Sequence, residues 1–213
     1  MSHELLIYGA SGHAKVIIDI VERLGIYQII GLLDDDPVQR GREFFGYRVL
    51  GGTEILVAHD RCAVVIAIGN NAVRKQLQEQ AQALEYALVT AIHPSAQLAR
   101  DVLVGPGAVI MAQVAINSGT RVGAGAIVNT GATVDHDCRI GEFAHISPGV
   151  HLAGNVTVGP LTHVGIGACA RPGVHIGADS IVGAGAAVIQ DVPDRVVAMG
   201  VPARVVKSRE KGG

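Results

Sequence analysis

From Ile92 to Val188 an aliphatic residue recurs at every sixth position: Ile92, Leu98, Val104, Ile110, Ile116, Val122, Val128, Val134, Ile140, Ile146, Leu152, Val158, Val164, Ala170, Ile176, Val182 and Val188. Ala170 alone departs from Ile, Leu or Val. Four residues after each aliphatic lies a small or β-branched residue, as at Ala108, Val114, Thr120, Ala126, Ala132, Cys138 and Ala144. Glycine often follows the aliphatic directly (Gly105, Gly123, Gly141, Gly159, Gly165, Gly177, Gly183), which marks a place where the backbone needs room or an unusual φ. Such a chain makes very short strands, each followed by a bend, with one large and one small residue pointing inward. Three hexads close a triangular coil, and successive coils pair as parallel strands about 4.8 Å apart. A Gly-rich β-sandwich would instead show variable strand lengths and no sustained period.

This pattern resembles the left-handed β-helix of hexapeptide-repeat transferases, an exception to right-handed crossovers. The span 92–188 predicts between five and six coils.

The chain before the repeat follows another pattern. Glu4–Tyr8 reads as a buried strand running through Gly9-Ala10-Ser11-Gly12-His13 into a helix from about Ala14 to Leu24. A second strand, Ile29–Leu33, ends in Asp34-Asp35-Asp36-Pro37. A third, Val64–Ile68, ends in Gly69-Asn70-Asn71 and feeds a helix to about Leu84; a fourth spans Ala87–Ala91. Strand–helix alternation predicts a small Rossmann-like α/β domain with a parallel sheet, whose ligands bind beyond the carboxyl ends of the strands. The expected division is an α/β domain over 1–90 and a β-helix domain with a C-terminal tail over 91–213.

Composition narrows the classes. There is no Trp and there are only 3 Phe and 4 Tyr, so the core must be built from Val, Ile, Leu and Ala. A net charge of −2 gives no basic footprint for nucleic acid. The opening residues lack a charged leader and a long apolar run, which predicts neither a signal peptide nor a membrane span. Cys62, Cys138 and Cys169 are widely spaced with no C-x-x-C, so neither a disulfide framework nor a zinc site is expected, and a cytoplasmic location is.

Candidate chemistry falls in two places. The loop Gly9–His13 can offer backbone N–H groups and a helix N-terminus to phosphate. The acidic residues after the second strand sit where a ribose hydroxyl is often held, although Asp-Asp-Asp-Pro also suits an ordinary turn. In the repeat, residues eighteen apart stack: Ser118, His136, Gly154 and Pro172 form one column, and Ile127, His145, His163 and Ile181 another. His136 lies between Asp135 and Asp137, two places after the inward Val134. It should point outward from a corner, either as part of a solvated turn or as a base activated by a carboxylate. No three histidines converge from one chain, and the pairs do not match those of hexapeptide-fold carbonic anhydrases, so no metal is expected.

Taken together, Tyr8–His13, Leu33-Asp34-Asp35, Ile66–Asn71 with Arg74, Asn129-Thr130, Asp135–Cys138, Ile140–Phe143, His145-Ile146-Ser147, Ala153-Gly154-Asn155 and Gly200-Val201-Pro202-Ala203 resemble bacterial nucleotide-sugar N-acetyltransferases of the PglD/NeuD type. The resemblance covers nearly the whole chain. It implies His136 as general base, paired with Asp137 where the family commonly has Glu. It further implies that Ser11, Gly12, His13, Asp34, Asp35 and Gly69 hold the nucleotide. His145, Gly154, Ile166 and Ala184 match positions contacting acetyl-CoA, Ala184 standing where the family can have Gly. The implied enzyme is a homotrimer that acetylates the 4-amino group of a nucleotide-linked sugar, such as UDP-4-amino-4,6-dideoxy-N-acetylhexosamine. The alternatives are a GDP-linked amino sugar, an O-acetyltransferase of a sugar-type acceptor, and a trimeric scaffold without activity.

Overall fold

The structure is a computed structural model and describes residues 3–58 and 62–209. Residues 210–213 of the expected tail lie outside the described residues. The chain divides into two compact units, Met1–Pro94 and Ser95–Gly213.

The first unit contains β1 (His3–Tyr8), α1 (Gly12–Leu24), β2 (Tyr27–Leu33), β3 (Glu43–Phe44), β4 (Tyr47–Gly51), α2 (Thr53–Ala58), β5 (Ala63–Ile66), α3 (Asn71–Ala83) and β6 (Ala87–Leu88). The sheet order is β3-β4-β2-β1-β5-β6, parallel except for the β3–β4 hairpin. That hairpin and α2 were not predicted. The hairpin's two-residue loop puts both Phe45 and Gly46 at positive φ, and a phenylalanine there gives no warning in the sequence. Helix α1 buries Ala14, Ile17, Ile18, Ile20 and Val21, spaced to form one apolar stripe, and ends at Gly25 in the left-handed conformation. Leu6, Tyr8, Leu33, Val64 and Ile66 pack with Leu56 of α2 and Leu77 and Ala81 of α3. Strand alternation leaves Leu5 and Ile7 to the opposite face.

The second unit is a parallel β-helix of two-residue strands. Three sheets form its faces. The first carries the rungs beginning at Val109, Ile127, His145, His163 and Ile181; the second, those at Ala115, Thr133, His151, Cys169 and Ala187; the third, those at Leu103, Arg121, Arg139, Thr157 and His175. In each rung the second residue is the predicted inward aliphatic. Ile110, Val128, Ile146, Val164 and Val182 are all buried, each contributing on the order of 1.5–3 kcal/mol of hydrophobic stabilisation. After the last rungs, Val196–Met199 extends the first sheet and pairs antiparallel with Arg204–Ser208.

The glycines resolve into two roles. Those directly after the aliphatic need room: a Cβ at Gly123 would lie 2.6 Å from the backbone nitrogen of Glu142, and one at Gly159 2.5 Å from that of Ala178. Positive φ falls two residues later, at Gly107, Gln113, Gly119, Gly125, Gly131, Asp137 and onward every six residues. Asp137 is therefore at a bend where the backbone must be left-handed, a conformation that Asp tolerates better than most residues.

Candidate active site

In the first unit, the carboxyl ends of β1, β2 and β5 are adjacent, because these strands are sheet neighbours. Gly9 has φ +123, and a Cβ there would lie 2.7 Å from the Ala67 carbonyl oxygen, so only glycine lets the β1 and β5 loops close together. Asp34 ties two loops: Oδ2 accepts from the Ala10 N–H at 2.9 Å and Oδ1 from the Asp36 N–H at 3.0 Å. Asp35 Oδ1 accepts from the Tyr8 hydroxyl at 2.8 Å, the Thr53 N–H at 2.9 Å and the Thr53 hydroxyl at 3.1 Å. These bonds hold its carboxyl below the usual range against the opposing effect of burial. Asp34 and Asp35 thus brace the strand ends as well as facing them.

Ser11 is the N-cap residue of α1, but its side chain makes no capping bond. The first N–H groups of a helix have no intrahelical partner, so the backbone at Ser11, Gly12 and His13 has donors that an anion could use, while the Ala14 N–H already donates to the Ser11 carbonyl at 3.0 Å. The His13 imidazole is pushed down to about 4, by burial first and then by the charge of Arg74, and is neutral at physiological pH. Arg74 is fully buried; its guanidinium donates to the carbonyls of Ile68 and Gly69 at 3.0 and 3.1 Å and to Asn71 Oδ1 at 2.9 Å. Burial lowers it to about 10, so it stays a cation. Its organising of the Gly69 loop was missed at the level of site residues. The contacts are local, three to six residues apart, but a buried arginine turned back onto its own loop carbonyls has no spacing signature.

In the second unit, His136 occupies the bend between the second and third faces. The coils on both sides pin this bend: Asp137 N–H donates to the Ser118 carbonyl at 2.9 Å and Asn155 N–H to the His136 carbonyl at 2.8 Å. The fully buried Thr120 hydroxyl donates to the Asp135 carbonyl at 2.8 Å and accepts from Cys138 N–H at 3.1 Å, clamping both ends of the bend. Asp135 Oδ1 accepts from Asn117 Nδ2 and from His136 N–H, both at 2.8 Å.

His136 Nδ1 and Asp137 Oδ2 are 2.8 Å apart. A carboxylate only accepts, so Nδ1 carries the proton, and in the neutral imidazole Nε2 presents its lone pair. The Asp137 hydrogen bond, followed by the Asp135 charge, raises the imidazole above its ordinary value. Both side chains are open to solvent, 59% for His136 and 65% for Asp137. The ring lies over Gly154: a Cβ there would sit 2.5 Å from Nε2. Among the described residues the Gly154 N–H makes no hydrogen bond, while its carbonyl accepts from Gly173 N–H at 3.0 Å.

The other positions expected from the resemblance to contact acetyl-CoA lie elsewhere on the same chain. Ile166 and Ala184 stack at the bend between the first and second faces, linked through Gly185 N–H to the Ile166 carbonyl at 2.8 Å. Both are exposed. His145 projects from the first face but is only 8% exposed, with Asn129 Nδ2 3.1 Å from its Nε2 and the His163 ring 4.8 Å away. One chain therefore groups His136 with Gly154 and, separately, Ile166 with Ala184.

Residues 4–81 match the PglD N-terminal domain family. The acetyltransferase domain of PglB from Neisseria gonorrhoeae, solved with acetyl coenzyme A, superposes with a TM-score of 0.92 at 38% identity, covering 97% of this chain and 100% of that one. PerB from Caulobacter crescentus, solved with CoA and GDP-perosamine, gives a TM-score of 0.90 at 42% identity, over 96% and 97% of the two chains. The chain belongs to the PglD/NeuD-type acetyltransferase family. As in these PglD/NeuD-type structures, an α/β domain precedes a left-handed β-helix. A further member, the UDP-N-acetylbacillosamine N-acetyltransferase of Bacillus subtilis, is 41% identical over 108 residues; the match spans about half the length of that curated relative.

Proposed function

We propose that the protein transfers an acetyl group from acetyl-CoA to the amino group of a nucleotide-linked amino sugar, with His136 as general base. The observation that carries this reading is the imidazole with its Nδ1 proton committed to Asp137 and its Nε2 open above Gly154. A neutral sugar amine attacks the thioester carbonyl, and a C–N bond forms. His136 Nε2 takes the proton from nitrogen as the tetrahedral intermediate develops. The C–S bond then breaks, and the CoA thiolate leaves with that proton. The uncommitted Gly154 N–H is suited to receive the developing oxyanion, a contribution typically of about 3–4 kcal/mol.

The nucleotide is assigned to the loops of Ser11, Gly12, His13, Asp34, Asp35 and Gly69, and acetyl-CoA to His145, Gly154, Ile166 and Ala184. We propose a homotrimer, supported by the second set: two groups at opposite edges of one face come together when a neighbouring copy supplies one of them. Sedimentation of a trimer is expected; a monomer at working concentration would contradict the shared cofactor site. Among the described residues no helix is long and apolar enough to cross a membrane. A cytoplasmic location is part of the proposal.

The first-choice acceptor is UDP-4-amino-4,6-dideoxy-N-acetylhexosamine, in line with the Bacillus relative. The 42% identity to a protein solved with GDP-perosamine favours a GDP-linked amino sugar as the second reading. Thiol release from acetyl-CoA, measured with each purified nucleotide amino sugar, separates them. Absence of acetylated product with both would sink the proposal.

A further inference from the structure

The third face of the β-helix carries an outward column that the reaction above leaves unused. In register along it lie Leu103, Arg121, Arg139, Thr157 and His175. Arg121 and Arg139 are direct neighbours on adjacent parallel strands, and both are exposed. Like charges set opposite one another across strands are destabilising, and a carboxylate in the column would relieve this one. The column has none. Among the described residues neither guanidinium makes an ion pair or a hydrogen bond. The chain as a whole is slightly acidic, so the pair is not a sample of a generally basic surface.

The pair is also attached to the histidine's corner. Arg139 opens the strand that leaves the 135–138 bend, and Arg121 opens the strand that leaves the preceding bend, where Asn117 donates to Asp135. The two strands run about 4.8 Å apart, so the guanidiniums they carry can reach neighbouring phosphoryl groups, each of which a planar fork can grip with two N–H donors.

We propose that Arg121 and Arg139 form a ladder that holds the diphosphate of a substrate engaged at the His136 corner. The inference rests on that corner being the transfer site. Both proposed substrates carry the required chemistry, the nucleotide sugar in its nucleoside diphosphate and acetyl-CoA in its own pyrophosphate. The ladder grips a part of the substrate that does not react, so its loss removes binding common to ground and transition states.

The test compares wild type with Arg121→Ala, Arg139→Ala, the double variant and the two Arg→Lys variants, using steady-state kinetics with each substrate varied in turn. In the double variant one KM should rise about ten- to a hundredfold, the usual worth of charged hydrogen bonds, with kcat retained. The substrate whose KM rises identifies the diphosphate. The lysine variants should recover part of the loss, since they keep charge but not the fork. Unchanged KM values for both substrates would overturn the ladder. So would dissociation of the double variant in sedimentation, which would make the arginines subunit contacts. If no acetyl transfer is found in the wild type, calorimetric titration with inorganic pyrophosphate at low salt decides separately. Binding by wild type that the double variant lacks keeps the ladder; equal binding, or none, rejects it.

Discussion

His136 lies over Gly154 so closely that a single methyl group at position 154 would come within 2.5 Å of Nε2. The two residues are eighteen apart, one above the other on adjacent coils, and the Asn155 N–H to His136 carbonyl bond fixes their spacing. Gly154→Ala should therefore displace the imidazole from the oxyanion donor beside it. Turnover should fall by on the order of a hundredfold, the lower end of what a positioned general base contributes, while the thermal midpoint stays near wild type because the exposed ring can swing away. Retention of wild-type kcat in the alanine variant would separate Gly154 from the chemistry.

For His136→Ala, kcat should drop by roughly 10²–10⁴-fold, the usual worth of a positioned acid–base group. The side chain is open to solvent and fills no core, so the folded assembly should be unchanged. Paired kinetics and sedimentation check both halves of this statement.

The pH profile tests Asp137. Its hydrogen bond raises the His136 imidazole, so the free base predominates only above a pH higher than the ordinary histidine value. kcat/KM should accordingly fall as pH drops through that raised value. Asp137→Asn removes the charge that favours the imidazolium, so the limb should move to lower pH with a smaller loss of plateau rate than His136→Ala. A limb that stays in place would show that another group is titrating.

Asp35 combines two duties, and its variant should show both. Asp35→Ala should raise the nucleotide-sugar KM far more than that of acetyl-CoA. It should also lower stability by about 1 kcal/mol or more, because the buried Tyr8 ring keeps only Thr53 as a hydroxyl partner. Equal effects on the two KM values would reduce Asp35 to a brace.

His13 makes folding pH-dependent. Its imidazole is at about 4 when folded against an ordinary 6.5, so the unfolded chain takes up a proton first as pH falls. The stability it contributes is complete above 6.5 and is lost as pH falls from there towards 4, a change on the order of 3 kcal/mol. His13→Gln should flatten that part of a denaturation-versus-pH curve. An unaltered slope would place the pH dependence elsewhere.

Much of this was legible in the residues alone. A six-residue period reports a backbone that repeats locally, so inward positions, strand pairing and stacking all follow from counting. His136 above Gly154 and Asn117 beside Asp135 are both eighteen-residue neighbours, and the first was predicted on that ground. The same counting could not say why glycine so often follows the aliphatic. Only the packed coils showed that room for the next backbone, and not φ, excludes a side chain there. The first unit has no period to count. Asp35 meets Tyr8 and Thr53, and Arg74 reaches His13, through segments that a parallel sheet brings together from distant parts of the chain. Which carboxylate is tied down, and which imidazole loses its proton, depends on burial and hydrogen-bond partners, which exist only once those segments have packed.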